Sequence, residues 1–136
     1  VVQSSSATYS GARTQAISSS KEYVGYYLRP VSGRKSQGIH GYNAVDIAAP
    51  AGTAIFASAG GTVIVSKSSG WNGGYGNYVV IQHDNGTQTL YAHMLGVSVS
   101  QGTTVSQGQA IGSVGRTGKT TGAHVHFEIR GAKNPF

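Results

Sequence analysis

Short apolar runs, separated by glycine-rich or polar turns, follow one another along most of the chain. No stretch repeats apolar residues at the spacing of an amphipathic helix. Runs rich in β-branched and aromatic residues predict strands instead, and an Asp-Asn-Gly turn at 84–86 indicates a hairpin. The predicted strands are residues 54–57, 61–65, 76–83, 87–93, 109–114 and 123–130. The pattern therefore predicts a small, all-β, mainly antiparallel domain, built as a sheet, barrel or sandwich.

Composition agrees with a single β-rich domain. The chain has 136 residues, enough for one core, and only 10% of them are charged while 21 are glycine. Residues 1–22 are rich in Ser and Thr and poor in large apolar groups, which is typical of a linker or loosely attached arm. We therefore expect the folded domain to span residues 23–136, with its core beginning near residues 26–31.

The charge and the absence of cysteine narrow the possible partners and cofactors. Ten Lys and Arg against four Asp and Glu leave a formal charge of +6, which favours polyanions such as nucleic acid, anionic membrane or acidic wall polymers. Without cysteine, disulfides and thiolate metal sites are excluded. No apolar run is long enough to cross a bilayer. The chain begins Val-Val without a signal-peptide pattern, so we expect a mature product or a piece of a longer protein.

One carboxylate lies in an unusual sequence setting. Asp46 is flanked by Val45 and Ile47, and an ionised group in apolar surroundings needs a partner or a bound ion. His40 lies six residues upstream, across a Gly-Tyr-Asn loop that allows the chain to fold back. These two side chains are therefore candidates for one site.

A His-x-His pair gives the second candidate feature. His124 and His126 fall on the same face of a predicted strand, while Val125 and Phe127 point into the core. Adjacent imidazoles repel one another when charged, and a metal or a catalytic role is the usual reason for such a pair. His93 ends the predicted strand 87–93.

Two histidines and one aspartate, with a fourth position left to water, fit a catalytic zinc site better than a structural one. Magnesium prefers oxygen ligands and does not suit imidazoles. From spacing alone, a packed or surface pair of histidines stays an equal alternative. His83, which precedes the hairpin turn, is predicted to be a surface residue of its strand.

Three ordered motifs resemble those of the lysostaphin-type (LytM-type) peptidoglycan endopeptidases. Residues 38–50 resemble the first zinc motif of that family, residues 89–94 the middle motif and residues 115–128 the closing motif. Residues 73–80 and 107–112 also fit, so the resemblance runs from about residue 28 to the end. Members of this family cleave peptide stems or cross-bridges of bacterial peptidoglycan, and their small antiparallel β domain carries the site in a groove on the sheet.

The resemblance implies roles for five side chains. His40, Asp46 and His126 match the zinc ligands, with one Zn²⁺ per chain, and His93 and His124 match the two unliganded histidines that assist catalysis. Which of these two is the general base stays open. The implied partner is a peptidoglycan peptide, with no nucleic acid and no stable membrane insertion. The implied protein is a monomer that works extracellularly, in the periplasm or at the bacterial envelope.

One motif departs from the family pattern. Many members space the first motif as His-x3-Asp, whereas here it is His-x5-Asp, and Tyr42 stands where the shorter spacing, counted back from Asp46, would place the histidine. Either the loop is longer and His40 still binds zinc, or the site has lost a ligand; we favour the first. The sequence does not place the family's tyrosine that contacts the tetrahedral intermediate, and Tyr42 is a weak candidate for it.

Four other functions compete with this interpretation. A catalytically inactive member would act as a wall-binding or amidase-activating regulator. A lipoyl or biotinyl carrier domain would need a Lys in a turn where none is found. A P-loop ending at Gly118-Lys119-Thr120 would need a glycine at position 113, which is Ser113; this loop is expected to border the substrate groove instead. Nucleic-acid binding is disfavoured because the Lys and Arg residues are scattered.

Overall fold

The computed structural model describes residues 21–41 and 43–136. Within these ranges the chain forms nine strands and one short 3₁₀ turn, Asn72–Gly74, and it has no α-helix. The strands are β1 (Arg34–His40), β2 (Ala44–Ala48), β3 (Ala54–Phe56), β4 (Gly61–Lys67), β5 (Asn77–His83), β6 (Gln88–Val97), β7 (Thr104–Val105), β8 (Ala110–Val114) and β9 (His124–Arg130). None of the described residues forms a helix long and apolar enough to cross a bilayer.

All of the strand pairs are antiparallel and belong to one sheet. Its order is β1-β2-β9-β6-β5-β4-β7, and β8 pairs with both β6 and β3 at the side of this path. Because β1 and β7 end the path without pairing with each other, the sheet is not closed into a barrel. The prediction of a small, mainly antiparallel all-β domain is confirmed.

The apolar runs located six strands correctly. The predicted hairpin joins β5 to β6, with Gln82 opposite Gln88 and the His83 N–H donating to the Thr87 carbonyl at 2.9 Å. Gly86 supplies the left-handed backbone of this turn at φ 88°. Local turn chemistry therefore sets the register of this hairpin.

Three strands escaped the sequence pattern, and two of them form the β1–β2 hairpin. Residues 34–39 are exposed, because β1 is an edge strand and needs no apolar face. By contrast, β2 lies between β1 and β9 and is almost wholly buried. Four of its five residues are buried, so β2 lacks the alternation of buried and exposed positions that marks a half-exposed strand. The third, β7, has only two residues.

The core lies on one face of the sheet. Val45, Phe127 and Tyr91 lie opposite one another on β2, β9 and β6, and each is fully buried. The ring centroids of Phe127 and Tyr91 are 5.3 Å apart. Val31, which precedes β1, is also buried in this core. The residues between these on the same strands point to the opposite face.

The predicted boundary between the arm and the domain stays a prediction. Residues 1–20 lie outside the described part of the chain. Lys21 already contacts the domain, because its carbonyl accepts a hydrogen bond from the Lys133 N–H at 2.6 Å.

The prediction that His83 is a surface residue is wrong. Its side chain faces inward on β5, and only 3% of the residue is exposed. Nδ1 lies 2.9 Å from the Gly60 carbonyl and Nε2 lies 2.8 Å from Thr89 Oγ1. Since a carbonyl only accepts, Nδ1 carries the proton and Nε2 accepts from the hydroxyl. The position beside a turn was a misleading sign of exposure. His83 is the last residue of β5, and a side chain at the end of a strand can still face inward.

The hydrogen bonds of His83 continue into the core. Thr89 Oγ1 lies 2.6 Å from the Tyr91 hydroxyl, which in turn accepts from the Ser58 N–H at 2.9 Å. Since Thr89 donates to His83, Tyr91 donates to Thr89, and each group in the chain is satisfied. Burial lowers the pKa of His83 to about 4, so the imidazole is neutral in the folded protein.

We expect His83 to make the fold sensitive to acid. An unfolded histidine binds its proton near pH 6.5 and this one only near pH 4, so the unfolded state gains protons first as the pH falls. Between neutral pH and about pH 4.5 this should remove about 2 to 3 kcal/mol from the free energy of unfolding. This loss can be measured by urea unfolding of the wild type and of His83→Gln at neutral pH and at about pH 4.5.

Glutamine retains one donor and one acceptor but does not titrate, so His83→Gln should lose less stability on acidification by that amount. The other titrating groups are common to both proteins and cancel in the comparison. An identical pH dependence in the two proteins would exclude His83 as the cause.

Candidate metal centre

A groove of about 460 Å³ lies on the face of the sheet opposite the core. Its lining residues come from the sheet and from two loops: His40, Asp46, His93, His124 and His126, then Gly73, Gly74 and Tyr75, and finally Lys119, Thr120 and Thr121. All five side chains proposed from the sequence as metal ligands or catalytic residues thus line one groove.

Strand register brings the first of these side chains together. Asp46 on β2 lies directly opposite His126 on β9, and directly opposed residues of an antiparallel pair share one face. Asp46 Oδ1 lies 3.1 Å from His126 Nδ1 and 3.8 Å from His124 Nε2. Val125 and Phe127 are fully buried on the core side, as the alternation predicted. The His-x-His pair therefore faces the groove.

His40 joins the cluster from the end of β1. Its partner across the hairpin is Ala44, and Gly41 and Asn43 both adopt left-handed backbone conformations in the connection. The side-chain amide of Asn43 donates to the Ile129 carbonyl at 2.9 Å and so holds this turn against β9. His40 Nε2 lies 3.2 Å from Asp46 Oδ1, so the longer spacing still delivers the histidine. Tyr42, the candidate for the family's catalytic tyrosine, lies outside the described residues.

The donor atoms of three of these residues converge. One atom each from His40, Asp46 and His126 can be chosen so that all lie within 4.8 Å of one another. His40 Nε2 is buried and makes no hydrogen bond to any of the described residues, although it lies 3.2 Å from Asp46 Oδ1. A buried nitrogen without a partner is costly unless an ion satisfies it. Two imidazole nitrogens and one carboxylate oxygen are the donor set of a catalytic zinc site, so the residues fit that metal.

The charges in the cluster compensate one another. Burial raises the pKa of Asp46, but the hydrogen bond with His126 and the nearby imidazoles outweigh it and lower that pKa overall. Burial lowers the pKa of His126, yet its hydrogen bonds with Asp46 and Glu128 raise it to about 9. Asp46 is therefore ionised, and the cluster favours a positive charge beside it.

Sequence reasoning missed a second carboxylate of the site. Glu128 is fully buried, and its Oε2 lies 2.9 Å from His126 Nε2 and 2.5 Å from the Tyr75 hydroxyl. Arg130 forms an ion pair with the other oxygen at 3.0 Å. Extending the period of two from His124 and His126 reaches Glu128 and Arg130, so the signal was present on β9. Nothing in the pattern indicated Tyr75.

His93 and His124 are held by backbone carbonyls. His93 Nδ1 donates to Thr117 O at 2.7 Å, and His124 Nδ1 donates to Gly122 O at 3.0 Å. In the singly protonated form of either ring the proton is thus on Nδ1, and Nε2 is left as an acceptor. The two ring centroids are 4.9 Å apart. Burial lowers the pKa of His93, which keeps it neutral.

The backbone of His93 redirects its strand. At φ 60° it is left-handed, although the flanking residues are part of β6. Ala92 packs on the groove side of the sheet, yet Met94, two residues later, packs in the main core. Regular alternation would have put both on one side and His93 on the other. The left-handed residue therefore places the imidazole in the groove.

One wall of the groove consists of two loops in close contact. The Lys119 N–H donates to the Gly74 carbonyl at 2.7 Å, and the Thr117 hydroxyl accepts from the Asn77 N–H at 3.0 Å. Gly118 has φ 78°, and a Cβ there would lie 2.4 Å from the Gly74 oxygen. The loop that contains Gly118, Lys119 and Thr120 thus borders the groove, as expected.

Comparison with known proteins assigns this fold and groove to a family. The sequence model of the family described as peptidase family M23 matches residues 40–136. The match runs from the first candidate ligand to the end of the chain. The chain belongs to peptidase family M23. The M23 assignment agrees with the motif resemblance found in the sequence.

Curated relatives of this chain include proteins named as DD-endopeptidases. The DD-carboxypeptidase/endopeptidase Mpg of Neisseria meningitidis is 52% identical over 89 residues, which are 65% of this chain and 20% of Mpg. The peptidoglycan DD-endopeptidase ShyA of Vibrio cholerae is 40% identical over 102 residues, which are 75% of this chain and 22% of ShyA. The chain thus spans about a fifth of the length of these relatives.

Solved peptidase structures share the architecture. A zinc-containing peptidase from Vibrio cholerae superposes with a TM-score of 0.70 at 30% identity, over 77% of this chain and 36% of that one. The catalytic domain of lysostaphin from Staphylococcus simulans gives a TM-score of 0.61 at 30% identity, over 87% of this chain and 84% of that domain.

We expect the contact between the two loops to depend on Gly118. Gly118→Ala puts a Cβ against the Gly74 carbonyl in a left-handed position, and should lower the free energy of unfolding by about 2 kcal/mol or more. Gly122→Ala in the same loop is the matched control, because a Cβ there meets nothing within 4 Å. Its effect should stay within about 0.5 kcal/mol. Equal stabilities of the two variants in urea unfolding would contradict this account of the wall.

Proposed function

We propose that this chain is the catalytic domain of a zinc metalloendopeptidase that hydrolyses peptide bonds in bacterial peptidoglycan. The observation that carries the proposal is the convergence of His40, Asp46 and His126 in a groove of an M23 fold. Relatives named as peptidoglycan DD-endopeptidases and a structure named as a zinc-containing peptidase support the substrate and the metal.

The proposed zinc ligands are His40 Nε2, Asp46 Oδ1 and His126 Nδ1, for one ion per chain. These atoms face one another, whereas His126 Nε2 is occupied by Glu128. Zinc, when bound, supplies a Lewis acid that polarises a peptide carbonyl and acidifies water. Three protein ligands leave a coordination position for the reaction, as catalytic zinc sites require.

His93 and His124 are the proposed catalytic histidines. Each ring has its Nδ1 proton committed to a carbonyl, so Nε2 is free to accept a proton from the attacking water. The same nitrogen, once protonated, returns the proton to the leaving amine. Glu128 is unsuited to this task, because His126, Tyr75 and Arg130 already occupy its oxygens.

The groove suits a peptide with anionic groups. Glycines and the threonines Thr120 and Thr121 leave room and hydrogen-bonding groups along its walls, and Lys119 adds a positive charge. The net charge of +6 favours the anionic polymers of a cell wall. We accordingly place the protein in the bacterial envelope or outside the cell, acting as a monomer, with peptidoglycan rather than nucleic acid as its partner.

The inactive alternative has less support. Such a regulator is expected to lack one or more metal ligands. Here the residue in doubt was His40, and its Nε2 lies 3.2 Å from Asp46 Oδ1, beside His126. A complete donor set favours catalysis over a purely regulatory role.

We expect the purified domain to bind about one equivalent of zinc, because it offers one complete donor set. His126→Ala should lose both the zinc and the release of soluble fragments from purified peptidoglycan. His93→Ala and His124→Ala should retain the zinc yet slow hydrolysis by about 100-fold or more, as expected when a general acid or base is removed. Elemental analysis and mass spectrometry of the released fragments give the two readouts.

The three single variants are controls for one another, since they are neighbouring histidines with different proposed tasks. Full activity after exhaustive chelation would refute the metal-dependent mechanism. Zinc binding without any hydrolysis in the wild type would instead favour the regulatory alternative.

A further inference from the structure

We propose that Tyr75 is a positioning residue that acts on the metal ligand His126 through Glu128. This inference rests on the proposed function only in assuming that His126 binds the metal. In this inference the Tyr75 hydroxyl helps to hold the metal ligand His126 in position and does not take part in the reaction itself.

The hydrogen bonds around Glu128 determine which nitrogen of His126 is protonated. Glu128 Oε2 accepts from His126 Nε2 at 2.9 Å, and an ionised carboxylate only accepts. When Nδ1 is a metal ligand, the ring proton is therefore held on Nε2. Nδ1 is then the nitrogen left for the metal, 3.1 Å from Asp46 Oδ1. Carboxylate partners of this kind orient a ligating histidine and raise its basicity.

Tyr75 shares the same carboxylate oxygen. Its hydroxyl donates to Glu128 Oε2 at 2.5 Å, so one oxygen is held between Tyr75 and His126. Arg130 donates to the other oxygen from Nε at 3.2 Å and from Nη2 at 3.0 Å. Glu128 is fully buried, and these donors satisfy both oxygens, as a buried charge requires. Without the hydroxyl, Oε2 would lose one of the two groups that fix its position.

Tyr75 also supports the catalytic side of the groove. Its carbonyl accepts from the His93 N–H at 2.8 Å, and its ring centroid lies 5.8 Å from that of His126. The side chain of Tyr75 thus supports the proposed ligand His126 through Glu128, and its backbone carbonyl holds the left-handed residue His93 by a hydrogen bond. Because the hydroxyl proton is committed to Glu128, it is not available to stabilise an oxyanion, although the ring lines the groove.

Tyr75→Phe is the variant that isolates the hydroxyl, because it retains the ring and the carbonyl bonded to His93. We expect its zinc dissociation constant, measured by competition with a chromophoric chelator, to rise about 10-fold. Glu128→Gln should weaken zinc binding by about 10- to 100-fold for the same reason. Tyr78→Phe is the matched control, since its ring lies beside that of Tyr75 at 5.1 Å, and zinc affinity should not change.

NMR of zinc-loaded protein labelled with ¹⁵N-histidine gives a second readout. The Nε2 proton of His126 should exchange with solvent faster in Tyr75→Phe than in the wild type, because its acceptor is less firmly held. Unchanged zinc affinity and exchange in Tyr75→Phe, with a lower kcat, would overturn the inference and assign the hydroxyl to the transition state. Should that variant fail to fold, unchanged zinc affinity in Glu128→Gln overturns it equally.

The wild type separates failure of this inference from failure of the proposed function. If the unmodified domain binds no zinc, the proposed function fails and no ligand exists to be positioned. If it binds zinc and loses it in His126→Ala while Tyr75→Phe binds as tightly as wild type, only the positioning role is refuted.

Discussion

The register between β2 and β9 is the constraint on which the rest of the structure depends. It places Asp46 opposite His126 on one face and, one residue away, Val45 opposite Phe127 on the other. Because side chains alternate, a slip of one residue would move Phe127 out of the core and His126 into it. The burial of Val45, Phe127 and Tyr91 therefore fixes the positions of the polar groups on the opposite face. Apolar packing on one face specifies the chemistry of the other.

The buried polar groups on the groove face, with one exception, have hydrogen-bond or ion-pair partners that offset the cost of their burial. Asp46 and Glu128 lie on either side of His126, one near each ring nitrogen. Arg130 and Tyr75 complete the environment of Glu128, and carbonyls hold His93 and His124. The exception is His40 Nε2, which is buried without a hydrogen bond to the part of the chain that the structure describes. An otherwise satisfied cluster with one unsatisfied nitrogen, facing a carboxylate, is the arrangement that a cation completes.

Sequence patterns predicted much of this structure, and the misses share physical causes. Continuous runs such as residues 76–83 located central strands, but β1 is polar because an edge strand needs no apolar face. His83 was assigned to the surface from its place beside a turn, whereas a strand end can still face inward. Of the site, His40, Asp46, His93, His124 and His126 were identified, and the structure brings them together. Tyr75 was not, because its role depends on a contact with a residue 53 positions away.

The left-handed backbone of His93 has a consequence for the durability of the protein. A non-glycine residue in that region carries conformational strain of about 1 kcal/mol or more, although histidine tolerates it better than β-branched residues do. A glycine at this position would relax the backbone and remove the imidazole. Selection for stability alone would therefore favour a glycine at position 93, which gives a more stable domain without an imidazole in the groove. That a histidine stands there indicates that this domain gives up some thermal stability to keep an imidazole in the groove.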